Sequence, residues 1–233
     1  MSRRRAIVTG GASGIGAALC GRLREGGYEV ESLDLTTGFD VTRPEDWARV
    51  GAVDVACLNA GVLTGGADVA ALTDEAYRRS VAVNVDGVVF GVRRLMHVMP
   101  PGSRILVTAS LGGLTLVPDD PIYGLTKHAV VGFVRSVAPQ LEEKGIAINA
   151  LCPGWADTPL LDGDPRERLV GAGFPLLRAE DIAEAAWVAL ESGETGRAWV
   201  VQPGRPPLDF RFPNVPGART PEGDSVPAPP WIA

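Results

Sequence analysis

Tyr123 and Lys127 stand four residues apart in the stretch YGLTK, in a chain with three tyrosines and with only two lysines among its 22 basic residues. On a helix that spacing puts both side chains on one face. An ammonium beside a phenol favours the phenolate, so a tyrosine that ordinarily titrates near pH ~10 becomes a proton donor and acceptor usable closer to neutrality. Lysine, a compact charge with three rotatable donors, can also hold a sugar hydroxyl; the planar fork of an arginine suits both tasks less well. The alternative is a solvated surface pair. Ser110 precedes Tyr123 by thirteen residues and closes the apolar run RILVTAS. Its hydroxyl could donate to a carbonyl oxygen that gathers negative charge as hydride arrives, or merely bond the backbone.

A second group of residues suits a nucleotide. In TGGASGIG, Thr9–Gly16, three glycines (Gly10, Gly14 and Gly16) punctuate a strand-to-helix turn. Missing Cβ atoms let the backbone approach a pyrophosphate, and a helix N-terminus offers free N–H groups; the competing reading is a plain glycine turn. Asp34 follows Gly16 by eighteen residues, at the end of a second apolar run. A carboxylate there can accept both hydroxyls of an adenosine ribose and repels a 2′-phosphate. No Arg or Lys lies within the turn and Leu35 follows Asp34, so NAD is favoured over NADP. The competing reading for Asp34 is a solvated acid at a strand end.

The elements that must position these residues alternate. RAIVTG, YEVESLDL, VDVACLNAG, RILVTAS, IAINALCPG and RAWVVQPG read as strands, and helical patterns separate them: Gly14 to Glu25, the long stretch from Thr73 to Met99, and the stretch opening at Tyr123. Thr73 and Asp74 are candidate helix caps, and Pro139 is expected to kink or shorten its helix. Continuous apolar strands alternating with helices imply a parallel sheet covered on both faces, the doubly wound α/β class, which binds ligands beyond the carboxyl ends of its strands. Residues 1–204 are expected to form one catalytic domain. Residues 205–233 form a Pro-rich tail, flexible or laid over the domain or a neighbouring subunit, since the segment from Gln202 onward holds nine prolines in thirty-two residues.

Composition narrows the class. The net charge of −6 and the lack of a basic block beyond Arg3 to Arg5 argue against nucleic acid. No apolar run is long enough to span a membrane or to make a signal-peptide core; a soluble, cytoplasmic protein is expected. Cys20, Cys57 and Cys152, three in number and far apart, read as buried reduced thiols, and two histidines leave no His-rich metal site.

These motifs, in their order, resemble the short-chain dehydrogenase/reductase family: TGGASGIG, DL at Asp34, DV at Asp40-Val41, NAG at Asn59 to Gly61, NVDG at Asn84 to Gly87, Ser110, YGLTK, and PGWADT from Pro153 to Thr158. The resemblance covers about residues 4–202 and implies a single-domain Rossmann-type fold. It also implies a catalytic tetrad of Asn84, Ser110, Tyr123 and Lys127. In that scheme Tyr123 exchanges the proton, Lys127 lowers its pKa and holds the nicotinamide ribose, Ser110 polarises the substrate oxygen, and Asn84 interrupts its helix and holds a water that relays protons to Lys127. The resemblance assigns Ser13 and Ile15 to the phosphate turn, Asp40 to the adenine amino group, and Val41 to the adenine edge. Asn59, with Ala60 and Gly61, supports the strands near the cofactor; Pro153, Gly154 and Thr158 close the nicotinamide side, Thr158 meeting the carboxamide.

Two departures stand out. QPG at Gln202 to Gly204 replaces the Asp-Gly-Gly turn usual after the last strand, and only nine positions take Leu33 to Thr42, which leaves the adenine side open. A substrate lid is expected at about residues 155–178. Leu111, Leu114, Pro118, Trp155 and Leu160 would line an apolar pocket with Ser110, or serve as ordinary core. The reading is an NAD-dependent oxidoreductase interconverting a hydrophobic secondary alcohol and its ketone; the alternatives are an NADPH ketoreductase of 3-oxoacyl thioesters and a dinucleotide-binding regulator without turnover. By resemblance, it assembles as a homotetramer or homodimer.

Overall fold

Neighbouring residues of each central strand go to opposite faces of the sheet, as the two-residue period of a strand requires. In β1 (Arg5–Thr9), Ile7 joins one buried cluster while Ala6 and Val8 join the other. In β4 (Arg104–Thr108), Ile105 and Val107 lie on the first side and Leu106 on the second. Both faces are therefore core, which is why these strands read as unbroken apolar runs. These features belong to a computed structural model that describes residues 4–213 and 216–227. The N-terminal residues 1–3 of the basic opening and the parts of the Pro-rich tail at 214–215 and 228–233 lie outside the described residues.

One face is covered by α1 (Gly14–Glu25) and α7 (Ala179–Glu191), the other by α4 (Gly87–Val98) and α5 (Pro121–Glu142). With β2 (Glu29–Leu33), β3 (Val55–Leu58), β5 (Ala147–Pro153), β6 (Ala198–Val201) and β7 (Leu208–Asp209), the strands form one sheet ordered β2-β1-β3-β4-β5-β6-β7. All pairs are parallel except β6 with β7. This is the doubly wound, Rossmann-type α/β architecture. Strand β1 lies between β2 and β3, so the chain reverses direction across the sheet there, and the crevice beyond the carboxyl ends of β1 and β3 is the expected ligand cleft.

The short connection after β2 has the consequence its length implied. A single 3-10 turn, Leu35–Thr37, and the five-residue α2 (Pro44–Ala48) occupy it, and β2 is left at the edge of the sheet. The long helical pattern from Thr73 resolves into α3 (Asp74–Val81), a π-helical stretch (Ala82–Asp86) and α4. Thr73 is the cap, its hydroxyl accepting from the Ala76 N–H at 3.1 Å, and Asp74 is the first helical residue. Pro139 does not break α5: it sits within the last turn, where Ala138 and the fully buried Leu141 hold the backbone against the core. The antiparallel β7, not anticipated from the sequence, brings Phe210 and Phe212 against the core, with the Arg135 guanidinium 3.7 Å from the Phe212 ring centre. The chain thus stays on the domain past Gly204. Among the described residues no helix is long and apolar enough to cross a membrane.

Candidate active site

The glycine turn between β1 and α1 has the shape of a cradle. Gly10 and Gly14 hold φ of 62° and 50°, the left-handed region that disfavours any side chain. A Cβ on Gly16 would overlap the Gly10 carbonyl and lie 2.8 Å from Asn59 Nδ2. Ser13 is the extended residue opening α1; its side chain makes no cap, and no acid stands in the first turn. Ile15 packs half-buried on the core. A backbone bared of side chains at an uncapped helix N-terminus fits a dinucleotide pyrophosphate.

Asn59 explains how the turn is fixed. Its N–H donates to Thr9 Oγ1 at 2.8 Å, its Nδ2 to the Thr9 carbonyl at 3.2 Å, and its Oδ1 accepts from Thr108 Oγ1 at 3.1 Å. One side chain thereby joins the ends of β1, β3 and β4. Ala60 N–H also donates to Thr9 Oγ1, at 3.1 Å. Asp34 leans toward the turn: Oδ2 accepts from the Ala12 N–H at 3.3 Å, and Oδ1 from Thr36 N–H and Oγ1 at 3.0 and 2.9 Å. The Thr36 backbone hydrogen bond is the main reason its carboxyl titrates below the usual range, with burial opposing. Asp40 Oδ1 accepts from Thr42 N–H and Oγ1 at 2.9 and 2.7 Å. Val41 is largely buried, its side chain lying against Gly87.

Tyr123 and Lys127 share the first turns of α5, beside the end of β4. Lys127 is buried, 4% exposed, and its Nζ donates to the Thr108 carbonyl at 2.9 Å, 5.5 Å from the Tyr123 ring centre. Ser110 caps the following 3-10 turn, Oγ accepting from Gly112 N–H at 3.0 Å. Burial pushes the Tyr123 phenol above its ordinary value; a hydrogen bond with Ser110 pulls it down, while Asp120 and Cys152 add to the rise. Burial also pulls Lys127 down to about 8, with Cys152 opposing. The expected lowering of the tyrosine by the lysine is therefore not what this arrangement gives. Removal from water dominates both groups, each of which loses hydration of its charged form.

Asn84 is buried inside the π-helical stretch, which is the interruption anticipated for it. Its side chain is well occupied: Oδ1 accepts from Val62 N–H at 2.8 Å, and Nδ2 donates to the Val62 carbonyl at 2.9 Å and Thr126 Oγ1 at 3.0 Å. A Cβ added to Gly61 would lie 3.4 Å from Asn84 Oδ1 and 3.5 Å from Lys127 Nζ, so the missing side chain keeps space between them.

On the opposite side, Pro153 ends β5, and Gly154 N–H donates to the Val201 carbonyl at 2.9 Å. Gln202 packs on Gly154, its Oε1 2.5 Å from where a Cβ would be, which is how the QPG turn fills this end. The segment expected to serve as a lid, about residues 155–178, is tied by a bridge between Ala156 and Leu177 and carries α6 (Asp164–Gly171). Arg166 grips Asp157 through two bonds of 2.7 and 3.0 Å. Thr158 reaches the glycine turn, with its Cβ 3.2 Å from the Cβ position of Gly14. Of the expected pocket wall, Leu111 and Leu114 are half-buried, Leu114 against the core, whereas Pro118, Trp155 and Leu160 are exposed. Four residues of this neighbourhood went unrecognised in the sequence: Thr108, Asp120, Thr126 and Cys152. Asp120 had a signal, an acid three residues before a helical tyrosine, which is the spacing of an N-cap.

With this geometry in view, comparison with known proteins is direct. Residues 45–204 match the family model described as enoyl-(acyl carrier protein) reductase. The cis-4-hydroxycyclohexanecarboxylate dehydrogenase of Sinomonas cyclohexanicum is 32% identical over 218 residues, covering 79% of this chain and 88% of that protein. The 3-ketoacyl-(acyl-carrier-protein) reductase of Brucella melitensis, solved with NADH, superposes with a TM-score of 0.78 at 27% identity, over 87% of this chain and 98% of that one. A short-chain dehydrogenase of Burkholderia cenocepacia J2315, solved with NADP, gives 0.75 at 25% identity, over 86% and 97%. The chain belongs to the short-chain dehydrogenase/reductase family of NAD(P)-dependent oxidoreductases acting on CH–OH groups.

Proposed function

We propose that the chain is an NAD-dependent oxidoreductase interconverting a secondary alcohol and its ketone, with Tyr123 as general acid and base. The observation that carries this reading is the convergence of Ser110, Tyr123 and Lys127 at the strand ends beside a bare glycine turn that Asp34 overlooks. A bound nicotinamide supplies or accepts the hydride. During oxidation Tyr123, as phenolate, takes the hydroxyl proton; in reduction the neutral phenol returns it. The Ser110 hydroxyl donates to the substrate oxygen and shares its developing charge. Lys127, whose Nζ donates to the Thr108 carbonyl near the tyrosine ring, would bond the ribose hydroxyls of the coenzyme. Asn84 fixes the Val62 backbone and borders the space over Gly61 through which a water can pass protons to Lys127. The exposed Trp155 and Leu160 favour a hydrophobic substrate, and alicyclic secondary alcohols are the first class to assay. Following reduced-nicotinamide absorbance with an alcohol panel, and with NAD and NADP in parallel, tests the reading; no turnover of any alcohol or ketone with either coenzyme refutes it.

The preference for NAD rests on Asp34, whose charge would meet a 2′-phosphate with no cation in the glycine turn to offset it. Asp34→Ser is expected to shift the ratio of kcat/KM for NADP over NAD by roughly tenfold or more toward NADP, since like-charge contacts cost several kcal/mol. An unchanged ratio removes Asp34 from coenzyme selection. A homodimer or homotetramer through α4 and α5 completes the reading. Between these helices a mostly apolar groove of about 290 Å³, lined by Val89, Val92, Met96, Phe133 and Val137 together with Arg93, Ser136 and Gln140, lies open on the surface. Sedimentation velocity checks it, and a monomer at micromolar concentration contradicts it.

A further inference from the structure

Asp120 is buried, 7% exposed, yet it carries a carboxylate that faces three backbone donors. Oδ1 accepts from the N–H of Tyr123 itself at 2.9 Å; Oδ2 accepts from Thr64 N–H at 2.8 Å and Gly65 N–H at 3.1 Å. The first bond caps α5, a 22-residue helix whose N-terminus attracts negative charge. The other two hold the loop that follows the Asn59-Ala60-Gly61 segment, and Thr64 Oγ1 shares a hydrogen bond of 2.8 Å with Ser80 Oγ, on α3. Asp120 thus joins the turn that presents Tyr123 to the loop that leads away from the cofactor-side strand ends.

We propose that Asp120 is a positioning residue for Tyr123, its carboxylate locking the first turn of the catalytic helix to the loop after β3 from a cap three residues before the tyrosine. The proposal rests on Tyr123 being the general acid and base. A serine or threonine could cap the helix equally well. It would not reach two further N–H groups with a second charged oxygen, and it would leave the phenol without a neighbouring anion. The titratable groups facing the phenol are Asp120 at the helix cap, Lys127 on α5 and Cys152 on β5; the turn after β4 contributes only the Ser110 hydroxyl. Asp120 opposes formation of the phenolate, so it holds the proton on Tyr123 to higher pH and biases the site toward proton donation.

The test needs no substrate. Phenolate absorbance is titrated in the wild type, in Asp120→Asn and in Asp120→Ser, with a Tyr123→Phe titration subtracted to isolate this tyrosine. Thermal unfolding is recorded alongside. Tyr123 is expected to ionise at lower pH in both Asp120 variants. Asp120→Asn and Asp120→Ser each keep a cap acceptor but lack the charge, so both are expected to fold, with a lower melting temperature than the wild type. Superimposed Tyr123 titrations overturn the proposal, as does failure of both variants to fold, which would assign Asp120 to overall stability. The parent reading fails separately: if Tyr123→Phe turns over alcohols like the wild type, the mechanism falls whatever the titrations show.

Discussion

A Tyr123→Phe enzyme is expected to oxidise alcohols at least about a hundredfold more slowly than the wild type, the low end of what a positioned proton-transfer group contributes. The substitution removes one oxygen from a site whose ring packs beside Gly112 and whose backbone N–H stays capped by Asp120, so folding should be untouched. Reduced coenzyme should bind as before, which separates loss of chemistry from loss of binding. Wild-type oxidation should climb as pH rises, because burial holds the phenol proton above its usual range and the phenolate is the working base. The variant's residual rate should lack that climb. A variant with near-wild-type turnover, or with the same pH profile at lower rate, would take the tyrosine out of the reaction.

Lys127→Met is expected to abolish oxidation while making the protein more stable. The ammonium is buried, and its folded-state pKa drops to about 8 from the ordinary 10.5. Below pH 8 the folded and unfolded chains both carry the proton, and the fold bears the full cost of the buried charge. Between about 8 and 10.5 the unfolded chain binds the proton and the folded chain does not, so this group makes stability increase with pH across that window. Methionine removes the charge and the slope together. At neutral pH the gain should be about 1–3 kcal/mol, within the range seen when buried ions give way to apolar groups, and the Thr108 carbonyl left without its donor offsets part of it. Denaturant melts of both proteins at pH 7 and pH 10 measure this. A variant less stable than wild type at pH 7, or one that keeps the alkaline rise, would contradict the account. A residue that costs stability where it works is common at functional sites.

The parts of the molecule legible in the sequence were those written in local pattern. Strands β1, β3, β4 and β5 announced themselves because both their faces are buried, and the glycine turn because its spacing permits little else. Asp34 was readable as a strand-end acid, Ser110 as a strand-end hydroxyl, and Tyr123 with Lys127 as a helical pair. Long-range environment was not readable. The helical spacing of Tyr123 and Lys127 gave proximity but not dehydration, and dehydration decides which way each pKa moves. The packing of Val41 against Gly87, forty-six positions away, left no trace in local pattern. Asp120 escaped notice because two of its three partners, Thr64 and Gly65, lie more than fifty residues upstream. The two-residue β7 has too short a run to show a period, and it forms because Phe210 and Phe212 pack against the core.

The two rims of the sheet bear on how the protein behaves when crowded. One rim is β2, where Glu29 and Glu31 face solvent, and another molecule's strand laid alongside would bring carboxylates together. The other is β7, only two residues long and soon followed by Pro213, which cannot donate to a growing ladder. Neither rim offers the long, flat, uncharged template on which polypeptides stack into fibrils, so concentrated solutions of the native fold should resist edge-to-edge aggregation.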